Sequence, residues 1–235
     1  MRLLVLALDG LEHDLVVRWR LGNLLGAEWG TTDLSLIRAN SPYPCTPEIW
    51  ATLLSGRFAR RVEDPGQTFL ASAGRWRVLG LPGFLRGVWP DHRALVDLLG
   101  DVLEGRSDAR RFLRRCAIHA LWRMGQAIRA GRGDPDILVA YWPQPDLAGH
   151  LLWGRGGLRR TYEMMDRIAA RVKGALRPDR TLVVSDHGMG PAPEGPKVGE
   201  HTWRGFWSLD PPLGLHGKAI RVEEFAAVVG GLLLG

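Results

Sequence analysis

The chain has 235 residues, long enough for one full α/β domain and short for two, and 46% hydrophobic with 24% charged residues is typical of a soluble globular protein. Its apolar runs fall short of the roughly 20 residues of a membrane-spanning helix, and the N-terminus is too brief for a signal peptide, so we expect a cytoplasmic protein. The net charge of +6, carried almost entirely by arginine, is compatible with an anionic substrate, nucleic acid or a membrane surface, but also with genome base composition, which is the simpler interpretation.

Apolar runs and helical periodicity alternate along the chain. Strands are predicted at Leu3–Leu8, Thr31–Ile37, Trp76–Leu81, Asp136–Trp142, Thr181–Ser185, Arg204–Leu209 and Ala219–Val222. Helices are predicted at Leu11–Leu25, Thr46–Leu54, Asp91–Leu103, Ser107–Ala130, Leu158–Leu176 and Glu223–Leu234. This alternation predicts a doubly wound, mostly parallel sheet with helices on both faces.

We expect a single domain over residues 1–235, with residues 57–133 as a loop and helical cap insertion within it. Residues 57–75 have no clear period, and residues 190–200 form a predicted Gly/Pro loop. Arginines cluster at residues 106–115, at the start of the second cap helix. They would suit a phosphate or a lipid surface, although a solvated helix face is the simpler interpretation.

Asp9 and the pair Asp186-His187 each follow a buried strand. A glycine that permits a sharp turn comes directly after Asp9 and directly after His187. An open α/β sheet builds its sites at this edge, and carboxylate and imidazole groups there are suited to a divalent metal. The alternative for Asp9 is a capping role for the helix that begins at Leu11.

Asp146 and His150 are four residues apart, which places both on one face of a helix and lets them share one ion. A capping Asp and a surface His are the alternative. His201, in GEHT after the Gly/Pro loop, offers a further ligand.

Thr46 precedes Pro47, which suits the first position of a helix, so Thr46 is the predicted N-cap. A phosphate could lie against the amides there. A hydroxyl bound to a metal loses its proton easily and becomes a nucleophile, whereas an ordinary capping threonine would have no chemical role.

These segments, in this order, resemble the alkaline phosphatase superfamily, and in particular its type I phosphodiesterase/nucleotide pyrophosphatase branch. The segments that carry the resemblance are LALDGL, TPEIWATLLSGR, DLAGH, SDHGM and EHTWRGFWSLDPP. The resemblance implies an alkaline phosphatase-like fold with a reduced helical cap.

The resemblance also implies two divalent metal ions, usually zinc in this branch, although the Asp/His set without thiolates would also fit manganese. One ion would be held by Asp9, Thr46, Asp186 and His187, and the other by Asp146, His150 and His201. In the implied two-step reaction Thr46 attacks phosphorus, and the phospho-threonine intermediate is then hydrolysed. The implied substrate is a small phosphate ester or nucleotide, with Arg57 as a substrate-binding residue.

The chain also departs from this family. After LLSGR the family commonly continues with a Pro…His-Gly stretch, whereas here the sequence is FARRVEDPG, and the large insertions that build substrate pockets are lacking. Cys45-Thr46-Pro47 resembles a sulfatase nucleophile, but Ile49 stands where sulfatases have arginine. The alternatives to a phosphodiesterase or phosphatase are a phosphoglycerate mutase-like phosphotransferase and a metal-containing protein that binds anions or nucleic acid without turnover.

Overall fold

The computed structural model describes residues 1–85, 90–193 and 195–234. Its strands are β1 (Leu3–Leu8), β2 (Glu28–Asp33), β3 (Trp76–Leu79), β4 (Ile137–Trp142), β5 (Arg180–Val184), β6 (Gly188–Ala192), β7 (Gly195–Thr202), β8 (Arg204–Asp210) and β9 (Ala219–Arg221). Its helices are α1 (His13–Arg18), α2 (Gly22–Leu25), α3 (Ser35–Arg38), α4 (Thr46–Ser55), α5 (Pro90–Leu103), α6 (Ala109–Arg132), α7 (Gln144–Leu152), α8 (Leu158–Leu176) and α9 (Phe225–Leu234). Most of the predicted elements are present within a few residues of their expected ends.

Seven strands form one sheet in the order β3-β4-β1-β5-β8-β2-β9. All of them run parallel except β8, which pairs antiparallel with both β5 and β2. The central strand β1 is fully buried because helices cover the sheet on both sides, which explains its continuous apolar sequence. The predicted doubly wound, mostly parallel α/β fold is therefore confirmed.

The two faces of β1 build two separate cores. Leu3 and Val5 pack among side chains of α3, α4 and α9. Leu4 and Leu6 point to the opposite face and pack among α1, α2, α6 and α8. Alternation of side chains along a strand produces this division, and it anchors both helical layers to the same central strand.

The segment predicted as a cap insertion contributes to the sheet as well as to a smaller apolar cluster. Residues 57–133 supply the edge strand β3 and the helices α5 and α6. A third cluster joins α5 and α6 to α7 through Leu95, Phe112 and Leu147. The division of the chain into a domain and an insertion stays a prediction.

Three predicted elements differ from the structure. The helix expected over Leu11–Leu25 is broken into α1 and α2 by Arg20, which has a positive φ of 53°. The strand expected over Thr31–Ile37 ends at Asp33, whose carboxylate accepts the amide of Ser35 and starts α3. The expected loop 190–200 lies largely in the β6–β7 hairpin, where glycines permit a close approach that sequence alternation does not signal.

Within the described part of the chain, no helix has the length and apolar character needed to cross a bilayer.

Candidate metal centre

The predicted polar segments meet at the carboxyl edge of the sheet. Asp9 follows β1, Asp186 follows β5, and α7 follows β4, which lies beside β1. The amide of Asp146 donates to the carbonyl of Asp9 over 2.9 Å. Gly10 makes this approach possible: its φ is +64°, and a Cβ there would lie 2.7 Å from the Cα of Asp146.

The first group of side chains surrounds the Nε2 atom of His187. Asp9 Oδ1 lies 3.2 Å from this atom and Asp186 Oδ2 lies 3.4 Å from it. The hydroxyl oxygen of Thr46 is 3.2 Å away on the remaining side. The two carboxylates and His187 are buried, whereas Thr46 is half-buried. These four residues could hold one cation.

The second group surrounds Oδ1 of Asp146. His201 Nε2 lies 3.0 Å and His150 Nε2 lies 3.3 Å from this oxygen, and the two imidazole nitrogens are 3.1 Å apart. The rings of His187 and His201 stack with their centroids 3.7 Å apart, so the two groups adjoin. The structure thus brings together all seven residues that the sequence predicts as ligands.

The three histidines are oriented in the same way. The Nδ1 atoms of His150, His187 and His201 lie 2.9–3.0 Å from the backbone carbonyls of Gly199, Gly188 and Pro44, respectively. Because a carbonyl only accepts, each Nδ1 carries a proton, and Nε2 is the nitrogen that each ring would offer to a metal. This is the arrangement found in metal-ligating histidines. Burial acts to lower the pKa of these histidines, but contacts with Asp9 and Asp146 outweigh it and raise all three pKa values.

The resulting contacts suit a bound cation. The Nε2 atoms face carboxylate oxygens of Asp9, Asp146 and Asp186, and none of these three buried oxygens has another hydrogen-bond partner among the described residues. Two acceptors at 3.0–3.4 Å repel each other unless a proton or a metal lies between them. Adjacent ligands of a tetrahedral zinc ion, with bonds near 2.0–2.1 Å, stand about 3.3 Å apart. The donor set and its spacing therefore fit a divalent metal.

The carboxyl groups of Asp186 and Asp146 have pKa values shifted in opposite directions. Burial, together with the charges of Asp9 and Asp146, raises the pKa of Asp186 well above its usual range. Burial also acts to raise the pKa of Asp146, but its contacts with His150 and His201 outweigh burial and hold that pKa well below the usual range. The Asp9–Asp186 side of the site thus resists the ionisation of Asp186.

Thr46 begins α4, but it is not the N-cap as predicted. Cys45 occupies the N-cap with extended backbone, and Thr46 and Pro47 are the first two helical residues. The Thr46 hydroxyl is therefore not used to cap the helix and points to His187. The hydroxyl that the sequence predicts as the nucleophile thus lies beside the predicted metal ligand His187, at the positive end of the α4 dipole.

Two buried polar residues beside the ligand segments, Tyr141 and Glu12, were missed in the sequence. Tyr141, near the end of β4, donates a hydrogen bond to Asp9 Oδ2, and burial together with Asp9 raises the tyrosine pKa well above its usual range, so the hydroxyl stays protonated. Glu12 is buried, and its carboxylate accepts the amide of Met189 over 3.2 Å and a bond from Arg204 over 2.6 Å. The one available signal was position: Tyr141 is a polar aromatic residue at the carboxyl end of a strand.

Arg57 is not brought to the site. It lies two residues beyond the C-terminal end of α4, whereas Thr46 lies at the start, and the ten residues of α4 span about 15 Å. The Arg57 side chain is exposed and contacts Gln67.

The fold and the site together define an alkaline phosphatase-like α/β protein with a buried cluster of carboxylates and histidines beside a threonine. The sequence profile of the family Type I phosphodiesterase / nucleotide pyrophosphatase matches residues 76–204, which is more than half of the chain. The chain belongs to this family, whose members are metal-dependent phosphoester hydrolases, and the predicted resemblance is confirmed. Comparison with curated protein sequences finds no match.

Solved structures share the fold at low sequence identity. The 2-O GAG sulfatase BT1596 is 10% identical, with a TM-score of 0.57 over 99% of this chain and 70% of that chain. An inactive variant of murine ectonucleotide pyrophosphatase/phosphodiesterase 5 in complex with AMP is 11% identical, with a TM-score of 0.51 over 100% of this chain and 95% of that chain. In a further match to the murine protein, at 14% identity and a TM-score of 0.44, the alignment covers 83% of this chain and only 59% of the murine chain.

Proposed function

We propose that this protein hydrolyses phosphoric esters with two divalent metal ions and a phospho-threonine intermediate on Thr46. The observation that carries the proposal is the position of the Thr46 hydroxyl, 3.2 Å from His187 Nε2, the same atom that carboxylate oxygens of Asp9 and Asp186 approach. Membership of the phosphodiesterase family supports the same reaction class.

The proposed ligands form two sets. The first set is Asp9, Thr46, Asp186 and His187, and the second is Asp146, His150 and His201. Imidazole and carboxylate ligands without thiolate are compatible with zinc, which we propose, and with manganese. When bound, such ions polarise phosphoryl oxygens and lower the pKa of a hydroxyl or a water molecule.

In the proposed reaction the oxygen of Thr46 loses its proton and bonds to phosphorus, while the bond from phosphorus to the leaving alcohol oxygen breaks and that oxygen takes up a proton. Water then cleaves the phospho-threonine bond and restores the hydroxyl. The backbone amide of Thr46, at the start of α4, is oriented to stabilise negative charge on the phosphoryl group. Tyr141 holds the Asp9 carboxylate in place throughout.

We propose a phosphodiester or nucleotide pyrophosphate as the substrate rather than a monoester. The family description and the fold shared with a pyrophosphatase/phosphodiesterase that binds AMP support this choice. A cytoplasmic location remains part of the proposal.

The test compares bis-p-nitrophenyl phosphate with p-nitrophenyl phosphate, using metal-stripped protein to which zinc or manganese is added back. We expect metal-dependent turnover that favours the diester, and Thr46→Ala should lower kcat by at least about 1000-fold, as removal of a nucleophile does elsewhere. Thr46→Ser keeps a hydroxyl and should retain measurable turnover. Thr161→Ala, which removes a hydroxyl on α8, is the matched control.

The outcomes separate the alternatives. Full activity in Thr46→Ala would exclude the phospho-threonine intermediate. Transfer of the phosphoryl group to an added alcohol in preference to water would indicate the phosphotransferase. Tight binding of zinc without turnover of either ester would indicate a binding protein.

A further inference from the structure

The long helix α6 presents a continuous exposed stripe that the metal centre does not use. Its 24 residues extend about 36 Å. The stripe comprises Arg111, Arg114, Arg115, Ile118, Leu121, Trp122, Arg129 and Arg132, all exposed. At about 100° per residue these eight side chains fall within an arc of roughly 120°. The opposite side of the helix is buried through Phe112, Cys116 and Ala120.

The centre of the stripe is apolar. Ile118 is 55% exposed, Leu121 is 50% exposed and Trp122 is 43% exposed. Single exposed apolar side chains are ordinary on protein surfaces, but three neighbours on one helix face form a patch. Trp122 is backed by the guanidinium of Arg123, 5.2 Å from its ring. The aromatic side chain is therefore supported from the core side while its outer edge meets solvent.

Arginines flank this patch on both sides along the helix. Arg111, Arg114 and Arg115 precede it, and Arg129 and Arg132 follow it. None of the five forms an ion pair with a side chain in the part of the chain that the structure describes. The acidic groups nearby have other partners: Asp97 pairs with Arg93, Asp101 pairs with Arg106, and Asp108 caps the start of α6. The positive charge of the stripe is consequently free to meet an external anion.

A groove beside the stripe extends its apolar surface. It lies between α5 and α6, has a volume of about 640 Å³, and its apolar lining includes Leu98, Ile118 and Trp122. Its charged lining is balanced, with Arg111 and Arg115 facing Asp97 and Asp101. The groove therefore adds apolar area next to the stripe, while the positive charge lies on the stripe itself.

We propose that the α6 stripe is a docking surface for a bilayer that contains anionic phospholipids. Guanidinium groups bind headgroup phosphates, and a Trp beside aliphatic side chains suits the boundary between headgroups and acyl chains. A helix that lies flat along the surface of the protein can also lie flat on a bilayer. Nucleic acid would satisfy the arginines but would leave Ile118 and Leu121 without apolar contact, which is why the lipid surface is the better partner.

The experiment is vesicle co-sedimentation of the full chain at physiological salt. Phosphatidylcholine vesicles with and without phosphatidylserine are compared. We expect binding only with phosphatidylserine. Because each arginine near an anionic surface contributes roughly a fivefold change in affinity, the triple variant Arg111→Glu/Arg114→Glu/Arg115→Glu should bind at least about 100-fold more weakly. Replacement of the same three residues by Lys keeps the charge and should preserve binding.

Two further variants separate the stripe from general charge. Arg38→Glu/Arg60→Glu/Arg61→Glu changes the net charge equally, but it does so at exposed positions beside α3 and α4, on the opposite face of the sheet from α6. We expect this control to bind at least about tenfold more tightly than the stripe variant, because charges beyond a Debye length are screened. Ile118→Ser/Trp122→Ser keeps every arginine and should weaken binding roughly tenfold or more through the lost apolar contact.

Equal loss in the two charge variants would show a net-charge effect and overturn the proposal. It would also be overturned by unchanged binding in Ile118→Ser/Trp122→Ser. Binding of a DNA duplex without binding of phosphatidylserine vesicles, or self-association through the stripe in place of vesicle binding, would overturn it as well. Thermal unfolding of each variant verifies the fold, and the corresponding Arg→Gln triple replaces the charge reversal if that variant does not fold.

Discussion

Replacement of Asp186 by Asn should stabilise the metal-free protein and roughly halve its stabilisation by metal, because Asp186 belongs to only one of the two proposed ligand sets. The ligand oxygens of Asp9 and Asp186 lie within 4.8 Å of each other in a buried site. At an effective dielectric constant near 20, two unit charges at this separation repel by about 3 kcal/mol. Asn keeps an oxygen that can accept the Gly10 amide, which donates to Asp186 Oδ1 over 3.3 Å, so the variant removes charge more than structure.

The direction of the pKa shift of Asp186 predicts that Asp186→Asn stabilises the metal-free protein. Burial and the neighbouring carboxylates raise this pKa in the folded protein. A carboxyl group whose pKa is higher in the folded than in the unfolded state contributes its full stability below the unfolded pKa. This contribution is lost as the pH rises through the folded pKa. At pH 8 the unfolded chain ionises Asp186 freely, whereas the folded metal-free protein resists this ionisation, so wild type carries a cost that Asp186→Asn does not. The advantage of the variant should disappear as the pH falls toward the range where the unfolded chain is also protonated.

The assay is thermal unfolding at pH 8, with chelator and with saturating zinc. For a chain of this size about 3 kcal/mol corresponds to a rise in Tm of roughly 6–12 °C for metal-free Asp186→Asn over wild type. Zinc at about 100 times its Kd should add about 2.7 kcal/mol for each occupied site, so the variant, which keeps only the second ligand set, should gain about half as much as wild type. Asp179→Asn, an exposed carboxyl, is the control and should change neither value. A metal-free variant that melts at or below wild type would refute the proposed repulsion.

Two further substitutions test the support of the site. Tyr141→Phe removes the donor to Asp9 and should weaken zinc affinity roughly 10-fold or more, measured by chelator competition. Tyr43→Phe, at an exposed position, is the control. Equal zinc affinities of Tyr141→Phe and wild type would contradict a supporting role of Tyr141. Gly10→Ala must adopt a positive φ and place its Cβ against Asp146, so we expect a loss of more than about 2 kcal/mol in the free energy of unfolding by urea. Gly105→Ala shares the positive φ but faces open space, and a loss as large there would show that the contact with Asp146 is unimportant.

The class of fold and the order of the site segments could be predicted from the sequence. A continuous apolar run such as Leu3–Leu8, in a chain where strands and helices alternate, indicates a buried strand of an α/β sheet, and polar residues directly after it are expected at the carboxyl edge. Asp9 and Asp186 could therefore be assigned to one site before any coordinates were considered. The pairing of Asp146 with His150 followed in the same way from helical spacing.

Long-range contacts decided the rest. His201 reaches the site because β6 and β7 form a hairpin that packs closely on α7, where a Cβ at Gly199 would lie 2.4 Å from the carbonyl oxygen of Gly149. Arg57 is remote because α4 ends before it, although the motif continues through it.

The tautomers of the histidines were likewise set by backbone carbonyls distant in sequence, such as that of Pro44 beside His201. The Tyr141–Asp9 bond depends on the alignment of β4 with β1. Local sequence specifies the period of an element and the residue at its end, but the side chain or carbonyl that faces that residue is fixed only when distant elements pack together.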